Sequence, residues 1–582
     1  MSYKWKLQPL TPQIKEAAKA LTEKIGVNPI LGSILLRRGI RTERDAKKFF
    51  RPQLTDLLDP FLMKDMDKAV NRLNTAIGMK EKIMVYGDYD VDGCTAVTLV
   101  YKFLHGFYSD VTYYIPDRET DGYGISYRAI DRAISLGVKV IIILDCGIKA
   151  IEEIRYAQQR GIDFIICDHH VPDDDLPPAY AILDPKRNDE TYPYHDLSGC
   201  GIGFKLMQGF ALNNGIEFSR LQPLLELCAV SIAADLVPIL GENRILAYHG
   251  LRQLNANPSV GMQAIIQTCG LSGKEIGMSD ITFRIGPRIN ASGRIQNGSE
   301  TIDLLIERNL DEAITKANKI NAYNEARKDI DKQMTEEANA IVDKIKNLDN
   351  RRSIVVYSKE WHKGVIGIVA SRLTELYYRP TVVLALDDDG NLTGSARSVA
   401  GFDIYSGIES CKDLLQNFGG HTYAVGLSLK EENIKEFIRR FEEYVETHIR
   451  EEQTTATLNI DAELDFSQVN VNLFHDLKKL RPFGPENPEP LFCTRNVYDY
   501  GTSKVVGRGQ KHIKLELVDN KSNNILSGIA FGQSAHARFI KSKRAFNICY
   551  SITENIYKHG EIQLQIEDIQ PVITEQSTLD RP

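Results

Sequence analysis

The residues best suited to chemistry in this sequence are Asp and His residues that come directly after apolar segments. In chain order they are Asp88, Asp90, Asp92, Asp145, Asp168, His169, His170 and Asp235. Carboxylate oxygens are preferred ligands of hard divalent cations, and an imidazole among them favours Mn²⁺ without excluding Mg²⁺. The residue types therefore predict a site for divalent metal ions.

Charge balance favours one subset of these residues, which consists of Asp90, Asp92, Asp145, His169 and Asp235. Its four carboxylates carry the charge that two divalent cations neutralise, while the imidazole is neutral. Two ions about 3.5 to 4 Å apart can stabilise the attacking and the leaving oxygen of an in-line displacement at phosphorus. The subset thus predicts hydrolysis of a phosphate ester. A fifth carboxylate would break the balance, so Asp88 is left outside the predicted ligand set.

The alternating Asp residues at 88–92 could also begin a calcium-binding EF-hand loop. With Asp88 at position 1 of such a loop, the bidentate Glu expected at position 12 would fall on Leu99. An EF-hand loop also follows a helix, whereas this run follows the strand-like segment 82–87. We therefore reject the EF-hand, and the remaining alternative is a set of ordinary acidic turn residues.

The segments that carry these residues alternate between apolar strands and amphipathic helices. Predicted strands are Lys82–Gly87, Val111–Ile115, Val138–Leu144, Phe164–Cys167 and Ala181–Leu183, and predicted helices are Thr95–His105, Ser126–Leu136 and Ala150–Arg160. This alternation is typical of βαβ units, whose mostly parallel sheet is covered on both faces. Ligands bind beyond the carboxyl ends of such strands, where most of these Asp and His residues lie.

The pattern changes twice after residue 310. Residues 311–348 have helical spacing without Pro or Gly, which predicts one long helix of roughly 50 Å. Strand-like and helical runs then alternate up to residue 453, as in a second, smaller α/β domain. From residue 454 onward, apolar and polar residues alternate, which indicates half-buried antiparallel strands and fits a small β-barrel of the OB type.

Several motifs, in this order, resemble those of the DHH phosphoesterase superfamily. GDYDVDG, LDCG, DHH and AAD are similar to its catalytic domain, and GGH at 419–421 is similar to its companion DHHA1 domain. DHHVP, GPRINASGR, WHKGVIGIVASRL, TGSARS, FGGH and RPFGPENPEP narrow the resemblance to the RecJ family of single-stranded-DNA-specific 5′ to 3′ exonucleases. The resemblance covers the chain from about Leu31 to the C-terminal barrel.

This resemblance implies an α/β fold in which a mostly parallel-sheet DHH domain is joined by a long helix to a smaller α/β DHHA1 domain, followed by a C-terminal OB-type β-barrel. It also implies hydrolysis of phosphodiester bonds with two metal ions, in DNA repair and recombination. The predicted division is 1–55, an N-terminal segment packing on the DHH domain; 56–310, the DHH domain; 311–348, the long helix; 349–453, the DHHA1 domain; 454–575, the OB domain; and 576–582, a tail.

Individual roles follow from the same resemblance. It implies that the metal ligands are Asp90, Asp92, Asp145, His169 and Asp235. His170 would lie next to the scissile phosphate, and Asp168 would orient the neighbouring residues without ligating the metal itself.

Two further regions are predicted to bind the substrate. The loop at 286–294 combines a predicted turn with Arg and Asn side chains that can hold phosphate, and the alternative is a solvated surface loop. The second domain offers hydroxyls, a cation and backbone N–H groups in Gly-rich turns, and the resemblance implies that it holds the nucleotide at the 5′ end. The predicted set is Arg288, Asn290, Arg294, Ser395, Arg397, Gly419, Gly420 and His421. The DNA would thread a cleft between the two domains that is too narrow for a duplex.

The barrel could add contacts to single-stranded DNA, because OB folds combine a charged groove with stacking aromatic residues. The candidates are Tyr498, Tyr500, Lys504, Arg508, Lys511 and His512. They could equally be ordinary exposed residues, and both interpretations remain open.

Composition favours a soluble protein of several domains, with 43% hydrophobic and 26% charged residues in 582. Neither a signal peptide nor a membrane span is predicted, so we expect a cytoplasmic protein without membrane contacts. Nine cysteines without a CxxC pair predict buried, reduced thiols. The net charge of -7 counts against nucleic-acid binding, but bound cations would offset the acidic cluster, and the local field at a cleft outweighs global charge.

The expected partners are single-stranded DNA, a single-stranded-DNA-binding protein and a helicase. One alternative function keeps the chemistry but cleaves oligoribonucleotides or cyclic dinucleotides, as small DHH/DHHA1 enzymes do. Another is a non-catalytic scaffold in replication. The chain length, the 286–294 motif and the added barrel favour long DNA, and the intact ligand set argues against a scaffold.

Overall fold

The computed structural model describes residues 3–118, 121–122, 124–295, 298–345, 347–387, 389–522, 524–555 and 560–572. They form two compact units: a large unit, Gln53–Thr454, and a small unit, Met1–Pro52 together with Thr455–Pro582. The predicted tail, 576–582, lies outside the described residues. Within the described part of the chain, no helix combines the length and apolar character that a membrane crossing requires.

The N-terminal residues of the small unit form a strand and three helices. These are β1 (Lys4–Leu7), α1 (Pro12–Ile25), α2 (Pro29–Arg37) and α3 (Glu43–Phe50).

The large unit begins with a domain built on a fully parallel sheet, as predicted. Its strands are β2 (Lys82–Gly87), β3 (Val111–Tyr114), β4 (Val138–Leu144), β5 (Asp163–Cys167) and β6 (Ala181–Leu183). Their spatial order is β3-β2-β4-β5-β6. Alternate residues of one strand enter different cores, since Ile142 and Leu144 pack on one face of the sheet and Ile141 and Ile143 on the other. Burial on both faces explains the uninterrupted apolar runs.

Helices cover both faces of this sheet. They are α4 (Met66–Met79), α5 (Val91–His105), α6 (Tyr127–Ser135), α7 (Ile151–Gln158), α8 (Gly199–Asn213), α9 (Leu225–Asp235), α10 (Gly241–Ala256), α11 (Val260–Thr268), α12 (Met278–Asp280), α13 (Gly286–Ile295) and α14 (Ser299–Leu305). The predicted turn at 286–294 is wrong, because this segment is helix α13. It continues directly from a π-helical turn at Ile281–Ile285, and Pro287 is its second residue, just after this irregular turn.

One long helix, α15 (Leu310–Val342), leads to the second domain. It ends six residues earlier than predicted, shortly before Asn347, which adopts a left-handed conformation. The second domain contains β7 (Ile354–Ser358), α16 (Ile366–Tyr377), β8 (Thr381–Leu386), β9 (Asn391–Arg397), α17 (Ile404–Glu409), β10 (Leu415–His421), β11 (Ala424–Lys430) and α18 (Ile434–His448). Its sheet has the order β10-β11-β9-β8-β7, and only β7 and β8 are parallel. A second, smaller α/β domain is thereby confirmed.

The C-terminal part of the small unit is a closed barrel. Its elements are β12 (Thr457–Ile460), β13 (Ala462–Glu463), α19 (Val471–Lys478), β14 (Phe492–Asp499), β15 (Lys504–Val506), β16 (His512–Asp519), β17 (Ile525–Ala530), α20 (Ala537–Ile540), β18 (Phe546–Glu554) and β19 (Ile562–Pro571). Strands β14, β18, β19, β17 and β16 follow one another, and β14 pairs with β16 to close the ring. The predicted OB-type barrel is confirmed.

The N-terminal segment forms a compact unit with this barrel domain, whereas the sequence predicts that it packs on the DHH domain. Strand β1 pairs in parallel with β12. Nε1 of Trp5 donates to the carboxylate of Asp568 at 2.8 Å, and the Arg37 guanidinium donates to the carbonyl of Asp461 at 2.9 Å. The pairing was not foreseen because β1 has only four residues and its partner strand is far away in sequence.

Candidate metal centre and substrate cleft

Three neighbouring strands and one helix deliver acidic and imidazole side chains to one place. The Asp run at 88–92 follows β2, Asp145 follows β4, and the run at 168–170 follows β5. Asp235 instead is the last residue of helix α9. Among the described residues, three groups of side chains have ligand atoms within 4.8 Å of one another: Asp88 with Asp90 and Asp145, Asp92 with His169 and Asp235, and Asp145 with His169 and His170. The structure thus brings the five predicted ligands together and adds Asp88, which the charge balance had left out.

Asp145 and His169 occupy the middle of the cluster, since each belongs to two of these groups. Nε2 of His169 lies 3.1 Å from Oδ1 of Asp145 and 3.7 Å from Oδ2 of Asp235. Nδ1 of His169 and Oδ1 of Asp88 are buried, and neither has a hydrogen-bond partner among the described residues. A buried carboxylate oxygen without a partner calls for an explanation, and a cation bound at Asp88 supplies one. In His169 it is Nε2, not Nδ1, that faces the carboxylates.

Burial and mutual repulsion make these carboxylates costly to ionise on their own. Burial, followed by the charge of Asp90, raises the pKa of Asp88 to about 8. The pKa values of Asp90, Asp145 and Asp235 are raised as well, first by burial and then by the charge of Asp92. Divalent cations would remove this cost, so the donor set fits metal ions both in ligand type and in charge.

These raised pKa values predict how stability depends on pH in the absence of metal. A carboxyl group whose pKa is higher in the folded than in the unfolded state stabilises the fold below the unfolded pKa, and this contribution disappears as pH rises through the folded pKa. For Asp88 that window runs from the usual value of 3.8 to about 8. We expect the melting temperature in EDTA to fall across this window and the stabilisation by Mn²⁺ to grow. Thermal melts with and without Mn²⁺ at several pH values measure both trends, and parallel curves would contradict the prediction.

The first residues of helix α8 hold two of the carboxylates in position. The backbone N–H groups of Gly199 and Cys200 donate to Asp92 at 2.6 and 2.8 Å, and the Ser231 hydroxyl donates to it at 2.7 Å. A side chain at Gly199 would place its Cβ 2.7 Å from the Cβ of Asp145. Close packing of this helix end on Asp145 therefore requires glycine.

The substitution Gly199→Ala is expected to displace Asp145 while leaving the fold intact. Misplacing a ligand in this way should weaken Mn²⁺ binding and catalysis roughly 10- to 100-fold. Isothermal titration with Mn²⁺ and a nuclease assay measure the two losses. Gly201→Ala is the matched control, because its Cβ would come no closer than 3.3 Å to Leu197. Equal behaviour of both variants would show that this contact does not position the carboxylate.

Asp168 organises the two histidines behind the metal ligands. Its Oδ1 accepts the backbone N–H groups of His169 and His170 at 2.8 and 3.2 Å, and it lies 2.7 Å from Nδ1 of His170. Its Oδ2 accepts the N–H of Ile148 at 3.0 Å. Burial alone would lower the pKa of His170, but the hydrogen bond and charge of Asp168 outweigh it and the pKa is raised. Asp168 thus bonds to both histidines from outside the three groups of potential ligands.

The metal centre opens into a cavity of about 600 Å³. One wall belongs to the first domain and the other to the second domain, and the lining residues are Asp88, Asp90, Asp145, His170, Asp235, Ser395, Arg397, Gly419, Gly420, Ala424, Val425 and Gly426. The ring centroids of His170 and His421 are 6.2 Å apart across the cleft. The Arg397 guanidinium donates to the Ser395 hydroxyl at 2.6 Å. The residues predicted in the second domain therefore face the metal centre.

The predicted substrate residues of helix α13 lie in different surroundings. Arg288 donates to Asn321 on α15 at 2.9 Å, and the side-chain oxygen of Asn290 accepts the backbone N–H of Val91 at 3.1 Å. Arg294 donates to the carbonyl of Gly364 at 3.0 Å, which ties α13 to the second domain. None of the three lines the cavity described above.

The sequence analysis missed Arg118, a cation that follows strand β3. Its guanidinium lies 5.4 Å from the ring centroid of Tyr89, and its charge acts on both Asp88 and Arg294. The available signal was its place after a predicted strand at the edge of the sheet. That signal was overlooked because Arg118 is not part of an acidic motif.

In the small unit, the predicted DNA-binding residues of the barrel lie on β14, β15, β16 and the adjoining loops. Tyr500 is exposed, and so is Phe531, which the sequence analysis missed. The rings of His512 and Phe531 form an edge-to-face pair with centroids 5.3 Å apart. Lys504 and Lys514 are paired across β15 and β16. Exposed aromatic residues and cations on one barrel suit base stacking and contact with a backbone phosphate.

Family models match three parts of the chain. These are the DHH family N-terminal domain at residues 82–232, the DHHA1 domain at 337–447 and the RecJ OB domain at 460–568. The matches follow the order of the two α/β domains and the barrel.

Individual relatives extend the similarity over nearly the whole chain. A single-stranded-DNA-specific exonuclease RecJ of Haemophilus influenzae is 31% identical over 96% of this chain and 99% of its own length. The RecJ of Bacillus subtilis is 36% identical over 87% of this chain, which spans 64% of that relative's length. The crystal structure of RecJ from Thermus thermophilus in complex with Mn²⁺ superposes with a TM-score of 0.83 at 24% identity and covers 98% of this chain and 80% of that one.

Proposed function

Because this chain belongs to the RecJ family of single-stranded-DNA-specific exonucleases, we propose that it hydrolyses the phosphodiester bonds of single-stranded DNA, starting from the 5′ end. The observation that carries the proposal is the cavity that joins the acidic cluster to Ser395 and Arg397 on β9 and to Gly419 and Gly420 on β10. The acidic wall is suited to bind metal cations, and the opposite wall is suited to bind an anionic end group. A terminal nucleotide needs both, since its 5′ phosphate must be held while the next phosphodiester lies at the metal ions.

The acidic cluster supports a centre for two divalent cations, with Mn²⁺ preferred and Mg²⁺ accepted, held by Asp90, Asp92, Asp145, His169 and Asp235. Asp88 joins this proposed ligand set because its buried Oδ1 has no hydrogen-bond partner among the described residues. When bound, such ions supply Lewis-acid stabilisation for an in-line displacement at phosphorus.

The side chains around the cations orient the substrate and move protons. With Nδ1 of His170 held by Asp168 at 2.7 Å, Nε2 is the nitrogen that can donate to the scissile phosphate. His421 faces His170 across the cleft and can contact the same phosphate from the opposite wall. The two rings would then confine the scissile group between them.

The second domain supports binding of the 5′ end. Arg397 and Ser395 are hydrogen-bonded to each other. Gly419 and Gly420 lie on strand β10 rather than in the predicted turn, and β10 is the edge strand of its sheet, where outward backbone N–H groups can bind an anion. Arg294 reaches the start of α16, because its guanidinium donates to the carbonyl of Gly364 at 3.0 Å. The Arg397 guanidinium lies at the same helix end, where a Cβ added to Gly367 would come within 3.0 Å of it. We assign Arg288 and Asn290, which sit behind this region, to supporting it through their bonds to α15 and α5.

The cleft lies between the two α/β domains, and both of its walls belong to the same compact unit. This arrangement supports selectivity for single strands over duplexes. In this proposal the protein acts in the cytoplasm, in DNA repair and recombination. Its partners are a single-stranded-DNA-binding protein and a helicase. A helicase would supply the single strands that such a cleft requires.

A nuclease assay with single-stranded DNA labelled at either end tests the proposal. In Mn²⁺ or Mg²⁺, we expect stepwise release from the 5′ end and little degradation of blunt duplex DNA. Arg397→Ala should reduce kcat/KM on 5′-phosphorylated DNA roughly 10- to 100-fold, the loss expected for charge-assisted hydrogen bonds worth about 1.5 to 3 kcal/mol. Arg439→Ala, an exposed arginine of the same domain that pairs with Glu436 and Glu443, is the control. Release from 3′ ends, or efficient cleavage of blunt duplexes, would contradict the proposal.

A further inference from the structure

Lys186 lies at the edge of the metal centre on the turn after strand β6. Strand β6 neighbours β5, and Cys167 pairs with Leu183 in their parallel register. The backbone N–H of Asp168 donates to the carbonyl of Leu183 at 3.1 Å. Residues 168–170 and 184–186 therefore leave the sheet side by side, which brings Lys186 alongside His170.

The turn that carries Lys186 is fixed by its neighbours. Asp184 is fully buried and accepts the backbone N–H of Lys186 at 2.8 Å. Arg187 donates to the carbonyl of Ile182 at 2.8 Å and to the carboxylate of Asp65 at 3.0 Å. Contacts on both sides thus hold the backbone, and the position of Lys186 does not depend on its own side chain.

The ammonium group of Lys186 is not paired with any of the described residues. Its side chain is half-buried, and within the described part of the chain it makes no hydrogen bond or ion pair. Its charge nevertheless acts on four groups of the site, which are His169, His170, Asp235 and His421. A cation that is held in place and forms no ion pair with the described carboxylates is suited to an anion of the substrate.

Cations flank the metal centre at both edges of the sheet. Arg118 follows the edge strand β3, and its charge reaches Arg294, which lies with Arg397 at the start of α16. Lys186 follows the opposite edge strand, β6, and its charge reaches His421. Strands in a sheet lie about 4.8 Å apart, so the four steps from β3 to β6 span roughly 19 Å, with the acidic cluster between the two cationic edges.

We propose that Lys186 binds the DNA phosphate immediately 3′ of the scissile phosphate. The strand that remains after each cleavage would therefore run past Lys186. This inference rests on the proposed function, because it takes the arginine edge as the site of the 5′ end. A strand held there and cleaved at the centre leaves the cleft across the β6 edge, where Lys186 stands.

Substitution of Lys186 tests the contact. Lys186→Met should lower kcat/KM on single-stranded DNA roughly tenfold and reduce the slope of log affinity against log salt by about 0.7, the value for one phosphate contact on a single strand. Lys186→Arg should retain most of the activity. Lys139→Met removes an exposed lysine at the opposite end of β4 and should change neither quantity. Binding is measured in Ca²⁺ under conditions where no cleavage is seen.

A single neutral methylphosphonate in the DNA identifies the phosphate. Placed one position 3′ of the scissile bond, it should slow the unsubstituted protein by the same factor as Lys186→Met, and it should have no further effect on that variant. The assignment would be overturned if the effects of the methylphosphonate and of Lys186→Met on kcat/KM multiplied. It would also be overturned if Lys186→Met had the same kcat/KM as the unsubstituted protein. If the unsubstituted protein failed to degrade single-stranded DNA from 5′ ends, the proposed function would fail instead, so the two failures are distinguishable.

Discussion

Asp145→Asn is expected to reduce hydrolysis of single-stranded DNA roughly 10³-fold or more, because it removes the carboxylate most central to the metal centre. Asp145 belongs to two of the three potential ligand groups and lies 3.1 Å from His169. Its backbone is in the left-handed region, with φ at 62°, a conformation that Asn tolerates about as well as Asp. The substitution therefore removes the charge without straining the chain.

The same variant should behave in the opposite way without metal. Burial, followed by the charges of Asp92 and Asp90, raises the pKa of Asp145, so its ionised form destabilises the metal-free fold at neutral pH. We expect Asp145→Asn to melt at a higher temperature than the unsubstituted protein in EDTA, and to lose most of the stabilisation by Mn²⁺. The control is Asp173→Asn, an exposed residue that pairs with Lys149. Retained activity, or an unchanged response to Mn²⁺, would remove Asp145 from the metal centre.

The convergence of the acidic motifs could be predicted from sequence because it depends on two local rules. Apolar runs separated by helical patterns give parallel strands, and the residues after such strands meet at one edge of the sheet. Asp90, Asp145 and His169 obey both rules, and they lie within one cluster. Charge balance predicted the ligand set less well, because it excluded Asp88. The buried Oδ1 of Asp88 has no hydrogen-bond partner among the described residues.

Features that depend on contacts between residues far apart in the chain could not be predicted from the sequence. Asp235 reaches the cluster from the end of a helix, which only the packing of α9 against α5 determines. Arg288 and Asn290 have the side chains of phosphate ligands, but the helix that replaces their predicted turn directs them to α15 and α5. Strand β1 is too short to reveal its partner. In each case the residue type was informative, whereas its direction was set by tertiary structure.

A second large effect is expected at Asp168, which lies outside the proposed ligand set but supports two histidines. Asp168→Ala would leave the N–H groups of His169, His170 and Ile148 without an acceptor in a buried site. Loss of one partner from such a buried charged network destabilises a protein by about 3 to 5 kcal/mol. Activity should fall by roughly 100-fold, the upper range for residues that orient metal ligands. Chemical denaturation and a nuclease assay measure these two changes.

Asp168→Asn separates positioning from simple loss of stability. The amide keeps the shape and one acceptor oxygen, so more of the fold's stability should survive than in Asp168→Ala. It no longer carries the charge that raises the pKa of His170 against the effect of burial, and that pKa should fall. If His170 donates a proton to the substrate, the alkaline limb of the rate–pH profile moves to lower pH in this variant. Asp163→Asn, at the other end of β5, should leave the limb in place because Asp163 pairs with Arg72, away from the cluster. If the alkaline limb of the rate–pH profile did not move in Asp168→Asn although activity fell, His170 would not donate a proton. Its role beside the phosphate would then be steric only.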